Sequence, residues 1–308
     1  MGRAIDLQEK AEKVTIGSKT IVTYEPDKYA DYQSVDSGTI LSIDLHHMDS
    51  SLRLETHREV WSPTPFTIGM GESIAAEGCG GKTVMDFASG SGFLSVVAGK
   101  SGAARVVATD LNPRAVEMTR RNWALNNLDP KQLHAVESDC FDAIKERPEF
   151  EGKFDIIYSN PPTAPELDGE AERLSAGDWN KNGEGGRLVN DALITRGRSF
   201  LKIGGEILFV TTSKQGAGLT RNLLHRHWGE GIEADGDDPL DYAIDWKKRG
   251  SANWAVVKCE DLLLSDYYLP FLPRIEQFAR EQGQPGPLVE KEGKVYQKIY
   301  FIRARRAD

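Results

Sequence analysis

The sequence predicts an α/β fold in which a central, mostly parallel sheet carries helices on both faces. Three observations predict it. A short apolar run from Thr83 to Ala88 ends in a glycine turn, and a helix-like segment begins at Phe93, which is the order strand, tight turn, helix. A second apolar run, Arg105 to Thr109, follows that helix. An unbroken apolar run from Glu206 to Thr211 is typical of a strand buried on both faces.

Length and composition predict an ordinary soluble protein. The 308 residues include 39% hydrophobic and 28% charged residues, and no apolar run approaches the roughly 20 residues of a membrane helix. The first ten residues lack the apolar core of a secretory signal, so we predict a cytoplasmic location and no membrane partner. The widely spaced cysteines, Cys79, Cys140 and Cys259, form neither a disulfide nor a metal pattern, and we predict no metal site.

The net charge limits the kinds of binding partner that are expected. A formal net charge of −9 argues against a broad nucleic-acid-binding surface, because phosphate binding needs a dense basic face. The basic runs are short, and solvated helix or strand ends explain them. Nucleic acid is therefore a less favoured partner than a small molecule or a protein.

The glycine turn predicts a cofactor pocket. Gly90 and Gly92 let a ligand approach the backbone without meeting a Cβ, and Asp110 ends the next strand, where it can accept hydrogen bonds from both ribose hydroxyls. A nicotinamide dinucleotide would require a third glycine where this chain has Ser95. Asp86 suits a cationic amino group better than a phosphate, so a nucleoside cofactor with an ammonium group fits better.

With these residues the stretch resembles the cofactor half of class I S-adenosylmethionine-dependent methyltransferases. The segment Phe154–Thr163 also resembles the Asn-Pro-Pro-Tyr signature of the subgroup that methylates nitrogen, including HemK-like glutamine methyltransferases and adenine-N6 enzymes. The resemblance covers roughly residues 61–215. It implies S-adenosylmethionine as cofactor and a Rossmann-like, seven-stranded sheet whose last strand is antiparallel.

The resemblance also implies site residues. The catalytic set is expected where the Asn-Pro-Pro motif ends: Asn160, Pro161, Pro162 and Thr163. The cofactor set is expected at the ends of the first four strands and in the proline-rich segment before them: Phe66, Thr67, Asp86, Ala88, Gly90, Gly92, Asp110, Leu111, Asn112, Asp139, Cys140 and Asn160.

Some of these residues have structural interpretations as well. Ser62 or Thr64 could cap an ordinary helix at Pro65, and Asp139 could cap the helix after it. Asn160 could cap a turn, or it could orient an acceptor nitrogen by accepting an N–H hydrogen bond, with the Pro161 carbonyl accepting a second.

Thr163 stands where the resembled subgroup has an aromatic residue that stacks on a planar substrate. Another ring is expected to replace it, and several aromatic residues are candidates: Tyr29, Tyr32, Trp61, Phe66 and Trp179. Residues 164–187 are rich in glycine and polar residues, which predicts a loop over the pocket.

Two regions are predicted. Residues 1–60 form an N-terminal extension with a hairpin that turns at Gly17 and Ser18, and by analogy it covers the substrate. Residues 61–308 form the methyltransferase domain. The oligomeric state is left open.

The leading hypothesis is methyl transfer to a nitrogen of a small molecule or a protein side chain. The alternative is methylation of a nucleic-acid base at adenine N6 or guanine N2. A third hypothesis is an inactive cofactor-binding scaffold, because Ala88 stands where relatives carry glycine and Thr163 replaces the aromatic residue.

Overall fold

A computed structural model describes most of the chain. The described residues are 13–16, 19–23, 37–145, 147–166, 179, 182–232, 247, 250–264, 266–283, 286–291 and 293–308. Tyr29, Tyr32, the predicted Gly17–Ser18 turn and most of the predicted 164–187 loop lie outside them.

The strands and α-helices are numbered here in chain order. The strands are β1 Lys13–Ile16, β2 Lys19–Thr23, β3 Ile40–Ile43, β4 Leu52–Glu55, β5 Thr83–Phe87, β6 Arg105–Asp110, β7 Leu133–Glu137, β8 Phe154–Ser159, β9 Leu201–Thr212, β10 Trp254–Leu263, β11 Leu288–Lys291 and β12 Lys294–Arg305. The helices are α1 Pro65–Glu77, α2 Phe93–Lys100, α3 Pro113–Leu125, α4 Asp142–Lys145, α5 Leu188–Phe200, α6 Ala217–Trp228 and α7 Leu272–Glu281.

The larger sheet has the order β10-β12-β9-β8-β5-β6-β7, with β11 paired to β12 as its eighth strand. The pairs among β7, β6, β5, β8 and β9 are parallel, whereas β12 is antiparallel to both β9 and β10. The predicted Rossmann-like sheet with an antiparallel last strand is therefore confirmed, and β11 extends it beyond the predicted seven strands.

The order of the strands in the larger sheet indicates where a ligand binds. The chain runs from β5 outward through β6 to β7, and then returns to the other side of β5 with β8. Ligands of such sheets bind beyond the carboxyl ends of the strands where the order reverses. The ends of β5, β6 and β8 meet at that edge.

Both faces of the sheet are buried. Along β12, Ile299 and Phe301 belong to the core on the side of α2, whereas Tyr300 and Ile302 belong to the core on the side of α5 and α6. Alternate side chains of a strand point to opposite faces, so helices on both faces are needed to cover the apolar residues.

The N-terminal strands form a separate four-stranded sheet in the order β1-β2-β3-β4. Strands β1 and β2 pair antiparallel with Ile16 opposite Lys19, which confirms the predicted hairpin. Two asparagines, Asn122 in α3 and Asn126 directly after it, bind the backbone of β4. The Glu55 N–H donates to Asn122 Oδ1 at 2.6 Å, and the Arg53 N–H donates to Asn126 Oδ1 at 3.0 Å. The predicted division at residue 60 stays a prediction.

Candidate active site

The glycine turn and Asp110 are joined by hydrogen bonds. The Gly90 N–H donates to Asp110 Oδ2 at 2.8 Å, and the Asn112 N–H donates to Asp110 Oδ1 at 2.9 Å. Gly92 has a φ of 77°, and a Cβ there would lie 2.8 Å from the Cα of Thr119, so a side chain would not fit. The backbone therefore presents a bare turn beside a fixed carboxylate.

Asp86 is buried beneath this turn, where it anchors the start of α2. Its Oδ2 accepts hydrogen bonds from the Ser95 N–H at 2.9 Å and from the Ser95 hydroxyl at 2.6 Å. Its Oδ1 has no hydrogen-bond partner among the described residues. Burial raises the pKa of Asp86 to about 7, and the charge of Asp110 adds to the shift. Ser95, which occupies the position of the third glycine in a nicotinamide-binding turn, therefore binds the Asp86 carboxyl group instead.

This pKa predicts a pH dependence of stability. The folded protein holds a proton on Asp86 that the unfolded chain has released, so this contribution is full below the ordinary aspartate pKa and is lost as pH rises through about 7. Between about pH 5 and pH 8 we expect the free energy of unfolding of the cofactor-free protein to fall by about 2 kcal/mol. Burial also raises the pKa of Asp110, which adds a fall of the same sign, so Asp86→Asn should reduce the fall without removing it entirely, as measured by denaturant unfolding.

Asp142→Asn is the matched control. Arg196 and Lys145 lower the pKa of the exposed Asp142, so its contribution to stability has the opposite sign and is lost as pH falls. A fall of the same size in Asp86→Asn and in the wild type would show that another group causes it.

Ala88 has a left-handed backbone, with a φ of 59°. An L side chain costs about 1 kcal/mol or more in this region, which accounts for the expectation of glycine at this position. We expect Ala88→Gly to raise the free energy of unfolding by about 1 kcal/mol, less the added entropy of the unfolded chain. Ala98→Gly within α2 should lower it by a similar amount. Equal losses from both substitutions would contradict the backbone argument.

Leu111 and Asp139, both predicted cofactor-site residues, are exposed just beyond the ends of β6 and β7. The Leu111 side chain is 44% exposed although it is apolar. Ser138, rather than Asp139, caps the short helix α4, because its hydroxyl accepts the Ala143 N–H at 3.0 Å. The carboxylate of Asp139 is therefore not used as a helix cap. Cys140 follows with a φ of 48°, and burial raises the pKa of its thiol to about 12, so it stays a neutral thiol.

Asn112 has a structural role. Its Oδ1 accepts the Arg114 N–H at 2.9 Å and its Nδ2 donates to the Glu59 carbonyl at 2.7 Å. Both ends of the side-chain amide are used in these two bonds. Asn112 contacts the predicted cofactor site through its backbone N–H, which donates to Asp110.

Asn160 is held by two threonines at the start of the helix that precedes the glycine turn. Its Nδ2 donates to Thr64 Oγ1 at 3.1 Å and to Thr67 Oγ1 at 2.6 Å. The same threonines form the capping box of α1, so the predicted cap at Thr64 and the predicted contact residue Thr67 belong to one network. Both amide hydrogens are occupied. Among the described residues no group donates to Asn160 Oδ1.

Residues 59–67, here termed the roof segment, cross the ends of three strands. Glu59 is bonded to Asn112 after β6, and the Trp61 carbonyl oxygen lies 3.5 Å from the position that a Cβ on Gly90 would take after β5. Thr64 and Thr67 hold Asn160 after β8. The roof segment therefore encloses the edge where the glycine turn, Asp110 and Asn160 converge.

The residues after Asn160 have distinct surroundings. Asn182 Nδ2 donates to the Pro162 carbonyl at 2.8 Å, whereas no described residue donates to the Pro161 carbonyl. Thr163 Oγ1 lies 2.9 Å from the Tyr268 hydroxyl and accepts a hydrogen bond from Lys214 Nζ at 2.8 Å.

Lys214 and Tyr268 were not predicted from the sequence as site residues. A lysine directly after the apolar strand β9 is a signal that could have identified Lys214, whereas nothing near Tyr268 marks it. Of the ring candidates, Phe66 packs against Phe301 of the core with centroids 6.5 Å apart. Tyr268, which was not among the candidates, approaches Thr163 through its hydroxyl group, 2.9 Å from Thr163 Oγ1.

Neither a metal centre nor a membrane span is present in the described part of the chain. No group of three or more His, Cys, Asp or Glu side chains in the described ranges could hold a metal ion. Within the same ranges, no helix has the length and apolar character of a membrane span.

The chain is similar to known methyltransferases. Residues 67–161 match the family described as Ribosomal protein L11 methyltransferase (PrmA). The chain is 30% identical over 173 residues to a Methanocaldococcus jannaschii protein named "Putative protein N5-glutamine methyltransferase", covering 56% of this chain and 82% of that protein. It is 42% identical over 149 residues to a ribosomal protein L11 methyltransferase of Lachnospira eligens, covering 47% of this chain and 42% of that protein.

A solved structure of a 16S rRNA N2 G1207 methyltransferase of T. thermophilus, in complex with AdoMet and guanosine, covers 88% of this chain and 51% of its own, with 17% identity and a TM-score of 0.49.

The site fits an adenosyl cofactor. Gly90 has no side chain, Asp110 is fixed beside it by the Gly90 N–H, and Leu111 offers an exposed apolar side chain. The similarity to the Methanocaldococcus protein extends over most of that protein's length. The chain belongs to the class I S-adenosylmethionine-dependent methyltransferases, in the HemK-like group, and S-adenosylmethionine is its cofactor.

Proposed function

We propose that this methyltransferase acts on a nitrogen atom of a protein side chain or a small molecule, with a glutamine side-chain amide as the leading acceptor. One observation carries the proposal. Both hydrogens of the Asn160 amide are bonded to Thr64 and Thr67, which leaves Oδ1 to accept a hydrogen bond from a substrate N–H. The Pro161 carbonyl, which accepts no bond from the described residues, is a second acceptor.

The cofactor is proposed to lie beneath the roof segment. Asp110 would bind the ribose hydroxyls, Leu111 and Asp139 would face the adenine, and the turn at Gly90 would lie against the nucleoside. S-adenosylmethionine supplies a methyl group on a positively charged sulfur. The chain contributes orientation and exclusion of water, because methyl transfer is an in-line displacement whose rate depends on alignment.

The choice of acceptor rests on relatives and on charge. Two relatives are named as methyltransferases of a protein or of its glutamine residues, and a net charge of −9 disfavours a phosphate-rich partner. Methylation of a nucleic-acid base is the alternative.

The test uses S-adenosylmethionine with an isotopically labelled methyl group and three acceptors. They are a blocked glutamine-containing peptide, RNA-free ribosomal proteins, and protein-free ribosomal RNA. Label on the peptide or the proteins, located by mass spectrometry on a side-chain nitrogen, is the expected result. Label on RNA alone would establish the alternative. Binding of S-adenosylhomocysteine without label on any of the three would rule out the glutamine amide as acceptor and leave a small-molecule acceptor or the scaffold hypothesis.

A further inference from the structure

A buried lysine lies next to the Asn-Pro-Pro motif. Lys214 is only 2% exposed. It belongs to the 3-10 turn Ser213–Gln215, which follows β9. Its Nζ donates to Thr163 Oγ1 at 2.8 Å and lies 3.9 Å from the centroid of the Tyr268 ring. Among the described residues, no carboxylate lies within ion-pair distance of this amine.

Such a lysine is unusual, because buried ammonium groups are normally paired with a carboxylate. Burial lowers the pKa of Lys214 well below its ordinary value, and burial is the sole cause. Desolvation of this kind favours the uncharged amine. Lys214 is therefore the candidate for an uncharged amine, with a nitrogen lone pair, inside the described part of the protein.

Charged groups elsewhere do not account for this state. The elements packed against Ser213–Gln215 are β12, α6, α7 and the 3-10 turn Glu184–Gly186. The titratable groups of these elements are Glu184, Arg221, His225, Arg226, His227, Arg274, Glu276, Arg280, Glu281, Lys294, Tyr296, Lys298, Tyr300, Arg303 and Arg305. None of them contributes to the lowered pKa of Lys214. Tyr268 is the titratable group in contact with the amine.

The reaction needs a proton acceptor that the motif itself does not contain. An acceptor nitrogen that enters as a neutral N–H and leaves as N–CH₃ releases one proton. Asn160, Pro161, Pro162 and Thr163 have no group that titrates near neutral pH. Thr163 links this segment to the lysine, and the Tyr268 hydroxyl, 2.9 Å from Thr163 Oγ1, continues the same chain of hydrogen bonds.

We propose that Lys214 receives, through the Thr163 hydroxyl, the proton that the acceptor nitrogen loses on methylation. The inference rests on the proposed nitrogen acceptor. The nitrogen forms its bond to the methyl carbon as the carbon–sulfur bond breaks and its electron pair stays on sulfur. The N–H electron pair stays on nitrogen. Its proton passes to Thr163 Oγ1 directly or through the Tyr268 hydroxyl, while the Thr163 hydroxyl proton passes to Lys214 Nζ. Lys214 acts through Thr163 and is a positioning residue.

The first arm of the test measures the charge of Lys214 without turnover. The full chain is labelled with ¹³C at the lysine ε-carbon and titrated by NMR with S-adenosylhomocysteine bound, and the resonance absent from Lys214→Met assigns the residue. Lys202 is the internal control, because it is half-exposed and paired with Asp155 at 2.8 Å. We expect Lys214 to titrate well below Lys202. An ordinary lysine midpoint for Lys214 would overturn the proposal.

The second arm measures the pH dependence of kcat for methylation of the blocked glutamine peptide. In the wild type kcat should fall at low pH, where Lys214 is already protonated. Lys214→Met and Thr163→Val should lower kcat about 10²-fold and abolish this fall, with KM and S-adenosylhomocysteine affinity changed less than about threefold. Lys202→Met should behave as wild type.

The outcomes separate the two proposals. A wild-type pH profile in Lys214→Met would overturn the relay even if the peptide is methylated. If the wild type leaves the peptide and the other acceptors unlabelled, the proposed function fails and the relay with it, whereas a lowered NMR midpoint would still establish the uncharged lysine. Thr163→Ser, which keeps the hydroxyl, should restore the rate that Thr163→Val loses, and its failure to do so would overturn the role of Thr163.

Discussion

An Asn160→Ala variant is expected to lose about 100-fold or more in kcat/KM while keeping its affinity for S-adenosylhomocysteine. The reason is geometric. Thr64 and Thr67 fix the amide so that Oδ1 is available to one N–H of the acceptor, and alanine removes this acceptor atom. Turnover on the labelled acceptor and calorimetric cofactor binding, measured on one preparation, check both halves of the expectation.

The same substitution also removes two hydrogen bonds between the end of β8 and the start of α1, so a stability loss of about 1 kcal/mol per bond is expected. Asn126→Ala provides the matched control. Asn126 likewise joins a helix end to a strand, with bonds of 2.7 Å and 3.0 Å to Arg53, but it lies outside the site. It should lose stability and keep kcat/KM. Proportionate losses of activity in both variants would reduce Asn160 to a structural residue.

Asp110→Ala is expected to weaken cofactor binding by about 1.5–3 kcal/mol for each charge-assisted hydrogen bond to the ribose that the substitution removes. Its carboxylate is held by the N–H groups of Gly90 and Asn112, so it is already oriented before a ribose arrives. Calorimetry with S-adenosylhomocysteine measures the decrease in affinity.

Asp129→Ala is the control for loop stability, because Asp129 accepts the Lys131 N–H at 2.9 Å in a comparable turn away from the site. It should leave the affinity unchanged. An unchanged affinity in Asp110→Ala would place the ribose elsewhere. The melting temperature of Asp110→Ala should also fall, because the carboxylate accepts the N–H groups of Gly90 and Asn112, so affinity is measured well below the melting temperature of the variant.

Local signals explain what could be predicted from the sequence. The strand, glycine turn and helix around Gly90 are contiguous, and Asn112 followed by Pro113 is a helix start that needs no tertiary information. The order of strands and the antiparallel β12 followed from the resemblance together with the apolar runs.

Contacts between distant segments could not be predicted in the same way. Thr64 meets Asn160, and Lys214 meets Thr163 and Tyr268, across chain separations that no periodicity encodes. Strand β4 is short, and its buried Leu52 and Leu54 form too brief an alternation to separate it from a loop. The lowered pKa of Lys214 depends on burial, which composition does not report.

The roof segment couples the binding of the cofactor to the binding of the acceptor. It lies over the glycine turn at one point and holds Asn160 at another, so a cofactor that steadies the roof segment also steadies the amide that orients the acceptor. Two ligands that order the same segment bind with positive coupling, and that coupling is equal in both directions. We therefore expect a bound cofactor to tighten acceptor binding, and a bound acceptor to tighten the binding of S-adenosylhomocysteine by the same factor.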